Sequence, residues 1–220
     1  MAGSAAAELR NFVRICKKIV CVGRNYIEHV AELGNTVPEK PLIFLKPTTS
    51  FLEEGQGNIK VPPGCSELHH EVELAIIIGK DGKNIEEANA MNHVGGYALA
   101  LDMTARNLQN DAKKKGIPWT LAKAWDTFCP ISKFLPADAV PNPQDVHLWL
   151  KVENQIRQDG NTKDMIFHIP KLINYISGVM TLNVGDVILT GTPSGVSPVK
   201  SGETIEAGLG EQIKMKFMVE

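Results

Sequence analysis

LHHEVELAIIIGK, residues 68–80, sets two histidines and two glutamates against an unbroken apolar run that stops at a glycine. The two regular backbones distribute these side chains differently, so this stretch decides the fold. In a helix each residue turns about 100°, and Glu71 and Glu73 would stand roughly 200° apart, unable to share a ligand. In a strand the side chains alternate: residues 69, 71 and 73 line one face, and Val72, Leu74 and Ile76 the other. The β-branched run after Glu73 and the stop at Gly79 select a buried strand.

Two carboxylates then share one face about 7 Å apart at Cα. Ionised acids that close repel each other, and beside an apolar run they are expensive unless something neutralises them. A hard cation does so most directly, and carboxylates with water suit Mg²⁺ or Mn²⁺ rather than zinc. The zinc-protease spacing HExxH is absent, because no histidine stands four residues after His69 or His70. A solvated polar face at a strand end is the alternative on these residues alone. His69 shares the glutamate face and could support it, whereas His70 points the other way and could brace the site through a hydrogen bond.

Outward from this strand, short strands outnumber helices. KIVCVG (18–23), PLIFLKP (41–47), HVGGYALALDMT (93–104), DVILTGTPSG (186–195) and EQIKMKFMVE (211–220) read as strands. NYIEHVAELG (25–34) reads as a short helix with Asn25 as a possible cap, ARNLQNDAKKKG (105–116) as a helix with a solvated lysine face, and HIPKLINYISGVM (168–180) as an amphipathic helix with Pro170 in its first turn. HLWLKVENQIRQDG (147–160) reads as a hairpin turning near Glu153-Asn154. The whole predicts one α+β domain over residues 16–220, dominated by a mixed sheet, with residues 1–15 as a peripheral N-terminal extension.

The totals exclude several classes. The 220 residues carry 43% hydrophobic and 22% charged side chains and a formal net charge of −2, which points to neither nucleic acid nor an acidic membrane as partner. No apolar run approaches the roughly 18 residues of a membrane helix. The four cysteines show no CxxC spacing and read as free thiols in a reducing compartment. The Ala-rich, Arg-containing N-terminus is faintly like a transit peptide but contains Glu8, leaving mitochondrial and cytosolic locations both open.

Three further features carry chemistry. Asp102 closes the second apolar strand and leads into a helix, where functional groups are commonly placed. Lys123 in PWTLAKAW is a lysine among apolar neighbours, needing a partner or room to reach water. His29 and Glu32 stand three residues apart on one helix face, the spacing of an imidazole oriented by a carboxylate. His93, His147 and His168 show no partner spacing and read as structural or surface residues. TGTPSG (190–195) lacks the lysine of a phosphate-binding loop and reads as a turn lining a pocket.

Taken together, CVGRNYIEHVAELG, PLIFLKPTTS, LHHEVELAIIIGK, VGGYALALDMTARNLQ, PWTLAKAWDTFCPI and VILTGTPSGVSPV, spanning Cys21 to Val199, resemble the fumarylacetoacetate hydrolase family, in its acylpyruvase and oxaloacetate decarboxylase branch. The resemblance implies a mixed β-sandwich roll of the C-terminal-domain type, a homodimer, and a Mg²⁺ (Mn²⁺ as substitute) on Glu71, Glu73 and Asp102. It implies catalytic roles for His29 and Glu32 on a lid helix and for Lys123, and substrate contacts from Arg106, Gln109, Lys123 and Thr192. Small 2-oxo acids are the implied substrates, with acylpyruvate hydrolysis first and oxaloacetate decarboxylation second. Keto–enol tautomerisation of oxaloacetate and a non-catalytic metal-binding role are the alternatives. The chain departs from the family pattern at Asn107, Trp125 and Ser197, and Trp125 bears on substrate preference.

Overall fold

The computed structural model describes residues 8–32 and 36–220, without the side chains of residues 29–31. In chain order its main elements are α1 (Phe12–Ile15), β1 (Ile19–Gly23), α2 (Ile27–Glu32), β2 (Leu42–Lys46), β3 (Phe51–Glu53), β4 (Leu68–His69), β5 (Val72–Ile78), β6 (Val94–Leu101), β7 (Thr104–Ala105), α3 (Arg106–Lys115) and α4 (Thr120–Lys123). There follow β8 (Cys129–Ile131), β9 (Leu135–Pro136), β10 (His147–Val152), β11 (Gln155–Asn161), α5 (Ile169–Val179), β12 (Val187–Leu189), β13 (Pro198–Val199), β14 (Thr204–Leu209) and β15 (Ile213–Met218). No described helix is long and apolar enough to cross a membrane.

The strands form a mixed eight-stranded sheet ordered β2-β1-β12-β5-β6-β8-β3, with β9 paired to β6. A four-stranded sheet, β11-β10-β14-β15, and a small one, β13-β4-β7, complete the roll. In the large sheet β1 pairs with β12 and β3 with β8 in parallel, and the remaining pairs are antiparallel. The predicted α+β class and sandwich roll are what the chain adopts.

Alternation along β5 explains why it lies at the centre. All seven of its residues are buried. Val72, Leu74, Ile76 and Ile78 enter the main core with Leu148, Leu150 and Val152 of β10 and the apolar face of α5. Ala75 and Ile77 face a second cluster with Ala98, Ala100, Cys129 and Phe12. Each fully buried Val, Leu or Ile contributes about 1.5–3 kcal/mol, so a strand apolar on both faces is strongly held between two layers. Residues 8–15, which the sequence sets apart as an extension, bury Leu9 and Phe12 in that second cluster; residues 1–7 lie outside the described part.

Two local expectations have instructive outcomes. Glu153 and Asn154 do form the β10–β11 turn, with φ of 48° and 64°, the left-handed pair that a tight hairpin requires. Asn25 is not a helix cap. Its Oδ1 accepts from Phe167 N at 2.8 Å, and its amide donates to Thr190 O at 2.8 Å and Phe167 O at 3.0 Å, pinning the β1–α2 turn to two distant loops.

Candidate active site

Pairing of β5 with β6 sets the acids in place. Val72 lies across from Leu101 and Glu73 across from Ala100, so Glu71 and Asp102 meet just beyond the paired ends, where Asp102 N donates to Glu71 O at 2.8 Å. Glu71, Glu73 and Asp102 are buried at 6%, 2% and 1% exposure, and one carboxylate oxygen of each lies within 4.8 Å of the others. The alternation read from residues 68–80 is therefore the device that gathers them, although Glu71 itself stands one residue before the strand.

Such acids would be prohibitive unpaired. Glu71 Oε1 accepts from Arg106 Nη2 at 2.6 Å and Thr104 Oγ1 at 3.0 Å, and its Oε2 accepts from Lys123 Nζ at 2.9 Å. Lys123 Nζ also donates to Asp102 Oδ2 at 2.5 Å. Lys46, which the sequence left as the end of a strand, places its fully buried ammonium 2.8 Å from Asp102 Oδ1 and donates to Lys123 O at 2.6 Å and Met103 O at 3.1 Å. A lysine closing an apolar strand was the available signal, because such an ammonium must find partners. Burial pulls the Lys123 pKa down, but Asp102 and Glu71 outweigh it, and the group ends above its ordinary value.

Two features of this cluster fit a divalent cation. Glu73 makes no ion pair of its own among the described residues; its Oε2 accepts only Gly191 N, at 2.6 Å, and burial followed by repulsion from Asp102 and Glu71 drives its pKa well up. Asp102 Oδ1, despite the nearby Lys46 charge, receives no well-directed hydrogen bond and keeps a buried lone pair free. Three convergent carboxylates, all-oxygen and partly unsatisfied, suit Mg²⁺ or Mn²⁺. The neutral alternative, a solvated polar face, does not apply to acids this buried.

A scaffold of neutral groups holds the cluster. Gln158, fully buried on β11, accepts from Val72 N at 3.0 Å and donates to Thr192 Oγ1 at 2.7 Å and Pro193 O at 3.0 Å. His70 lies 2.9 Å from Gln158 Oε1 and 3.0 Å from Ser197 Oγ, the brace its strand position anticipates, and burial lowers its pKa to about 4. Thr192 lines the cavity, but its one O–H donates to Val72 O at 2.8 Å. Gly191 has φ +98°, and a Cβ there would lie 2.8 Å from that of Asn25, so the Glu73 donor requires glycine. Arg106 also donates to Gln109 Oε1 at 2.6 Å and to His69 Nδ1 at 3.3 Å. A small cavity opens over the acids and Lys123, lined also by Arg24, Phe44, Arg106, Gln109, Lys113 and Trp119.

Comparison with known proteins agrees with this architecture. The family model for the fumarylacetoacetate (FAA) hydrolase C-terminal domain matches residues 18–220. The chain belongs to the fumarylacetoacetate hydrolase family. It is 55% identical to an oxaloacetate tautomerase FAHD1, mitochondrial, of Oryza sativa subsp. japonica, covering all of this chain and 96% of the relative. It is 53% identical to an oxaloacetate decarboxylase, mitochondrial, of Dictyostelium discoideum, over 95% and 96% of the two chains. Among solved structures, a fumarylpyruvate hydrolase of Pseudomonas aeruginosa in complex with Mn²⁺ and pyruvate superposes with a TM-score of 0.88 at 34% identity, over 93% and 89% of the two chains. The protein is an enzyme of the fumarylacetoacetate hydrolase family.

The remaining expected residues divide. The His29 side chain lies outside the described residues. Glu32, exposed on α2, accepts from Gly195 N at 3.2 and 3.3 Å through its two oxygens, and Glu28 accepts from Ser194 Oγ at 3.1 Å, so the helix leans on the loop after Thr192. Of the departures from the family pattern, Asn107 faces away from the cavity and ties Gly64 O and Ser66 N. Ser197 serves His70. Trp125 does not line the cavity; its indole donates to Leu121 O at 2.7 Å, and the aromatic wall is instead Trp119 with Phe44.

Proposed function

We propose that this enzyme interconverts the keto and enol forms of oxaloacetate, the activity that the sequence reading held as an alternative to acylpyruvate hydrolysis. The observation that carries it is the buried Lys123 ammonium between two of three convergent carboxylates. That arrangement stabilises negative charge developing on a 2-oxo group and needs no attacking water. Full-length relatives named oxaloacetate tautomerase support ranking this reaction first.

A Mg²⁺ or Mn²⁺ ion held by Glu71, Glu73 and Asp102 would supply a Lewis acid beside the 2-oxo carboxylate. Arg106 and Gln109, hydrogen-bonded to each other on the cavity wall, hold and orient that carboxylate. Loss of a proton from C3 leaves negative charge on the C2 oxygen. Lys123, kept charged by its acid neighbours, stabilises that oxygen and is not the base. We assign the base to His29, oriented by Glu32, following the family resemblance. The proton then passes to the C2 oxygen to give the enol, and the reverse sequence returns the ketone. Relatives named as mitochondrial support a mitochondrial location for the enzyme.

Acylpyruvate hydrolysis is the second reading, favoured by the fumarylpyruvate hydrolase likeness and by the position of Glu32 over the cavity loop. Following the ultraviolet absorbance of enol-oxaloacetate with Mg²⁺ and with chelator, alongside CO₂ release and acetylpyruvate cleavage, separates the two. Metal-dependent keto–enol exchange without comparable cleavage is expected. Acetylpyruvate cleavage without accelerated exchange would replace this reading with the hydrolase. A His29→Ala variant should lose exchange yet bind Mg²⁺ by calorimetry.

A further inference from the structure

The lysine run DAKKKG reads from sequence as a solvated face, and its lysines are exposed, yet one of them, Lys113, also lines the cavity. Arg106, Gln109 and Lys113 are spaced i, i+3 and i+7 on α3, which aligns them on one helix face, and all three line the cavity. Helical side chains lean toward the N-terminus, so Lys113 reaches back over the turn that carries Gln109. Its ammonium sits 5.6 Å from the Trp119 ring centre. Trp119 meets Phe44 edge-on at 5.4 Å, and the Phe44 ring lies 5.0 Å from Lys123 Nζ. One aromatic wall thus runs from the inner ammonium to an outer one.

Arg24 completes the outer ring. It lines the same cavity with φ +58°, a left-handed backbone that costs a side-chain-bearing residue about 1–2 kcal/mol. The three hydrogen bonds of the next residue, Asn25, hold it there.

Charge decides what this rim is for. Inside, Lys46, Lys123 and Arg106 balance Glu71, Glu73 and Asp102. Arg24 and Lys113 form no ion pair with any described residue, so the mouth carries two unmatched cations, and a divalent ion at the acids would add to that surplus. Burial of one side, then Arg106 and Arg24, lower the Lys113 pKa to about 8, as expected where cations crowd.

We infer that Lys113 and Arg24 form a second anion subsite that binds the distal carboxylate of a dicarboxylic 2-oxo acid and thereby selects it over monocarboxylic analogues. The inference rests on the proposed function, because it takes the inner end of the cavity to hold the 2-oxo acid. A monocarboxylate would leave both rim charges unanswered. A four-carbon diacid answers them from the carbon next to the reacting centre.

The test compares unreactive ligands that differ only in the distal group. Mg²⁺-loaded protein is titrated calorimetrically with malate and with lactate, each as both enantiomers. Malate should bind at least tenfold more tightly in the wild type. Lys113→Met, and Arg24→Gly, which keeps the left-handed backbone available, should each bring the ratio toward one, while Lys113→Arg should preserve it. A malate-to-lactate ratio near one in the wild type, or one unchanged in both neutral variants, overturns the subsite. In turnover, the kcat/KM ratio of oxaloacetate to acetylpyruvate should fall at least tenfold in Lys113→Met. Absence of wild-type turnover on either substrate, with the malate preference intact, would instead fail the proposed function and leave the subsite standing.

Discussion

The charges of this molecule sort into two populations that behave oppositely. At the end of β5 and β6, five ionisable groups are nearly dry and share short contacts: Lys123 with Glu71 and Asp102, Arg106 with Glu71, and Lys46 with Asp102. On the surface, Lys171 and Glu87 pair at 2.9 Å with their side chains 48% and 49% exposed. The distances are similar but the consequences are not. Water already solvates the outer pair, whereas the inner groups have lost it and depend on one another. Burial, rather than contact distance, makes an ion pair consequential.

Asp102→Ala probes that contrast most severely. The substitution leaves Lys46 and Lys123 without their shared carboxylate, and breaking such a buried network typically costs about 3–5 kcal/mol. Urea unfolding should show that loss together with loss of metal-dependent turnover, and Asp102→Asn should recover part of the stability but not the activity. A fully stable Asp102→Ala protein would mean that the inner charges are as dispensable as the outer ones.

Metal binding comes next in size. A divalent ion that prefers the folded state at a hundred times its dissociation constant stabilises by about 2.7 kcal/mol. Thermal denaturation with Mg²⁺ and with chelator should differ accordingly, and Glu73→Gln should shrink the difference. Equal melting temperatures with and without the ion would remove the cation from the inner cluster.

Gln158→Ala tests the neutral scaffold under the charges. It would leave Val72 N, Thr192 Oγ1 and His70 short of a partner, and an unsatisfied buried group costs about 1–3 kcal/mol. Activity should fall about 10–100-fold, as is typical when a group supporting a metal site is lost. Should kcat stay at the wild-type value while stability drops, Gln158 holds the fold but not the site. The smallest effect is expected for Lys171→Met, which should change unfolding free energy by at most about 1 kcal/mol. A larger loss would blur the distinction between the two populations.

Much of the site was legible because its signals are local. The alternation of residues 68–80 placed Glu71 and Glu73 together, and an acid at the end of the next apolar strand pointed to Asp102. The helical repeat of residues 168–180 located α5 with Pro170 at its start. Asn25 misled because a capping residue and a long-range anchor look the same in sequence: both are a short amide before a helix. Trp125 drew attention as the bulky neighbour of Lys123, while Trp119, four residues before that lysine, forms the wall.

By itself the sequence determined the strand character of β5, the shared face of its glutamates, the hairpin at Glu153-Asn154 and the family to which the pattern leads. Each depends on a period of two or 3.6 residues, or on backbone preferences of a few neighbours. Tertiary structure alone decided that Asp102 faces Glu71, because strand register is set by packing across the sheet. It also decided that Lys46 bonds a carbonyl 77 positions away and that Gln158 reaches Val72 across 86. No local period encodes such pairs. They follow from the cost of leaving a buried charge or amide without a partner, a cost that arises only once the sheets have closed over them.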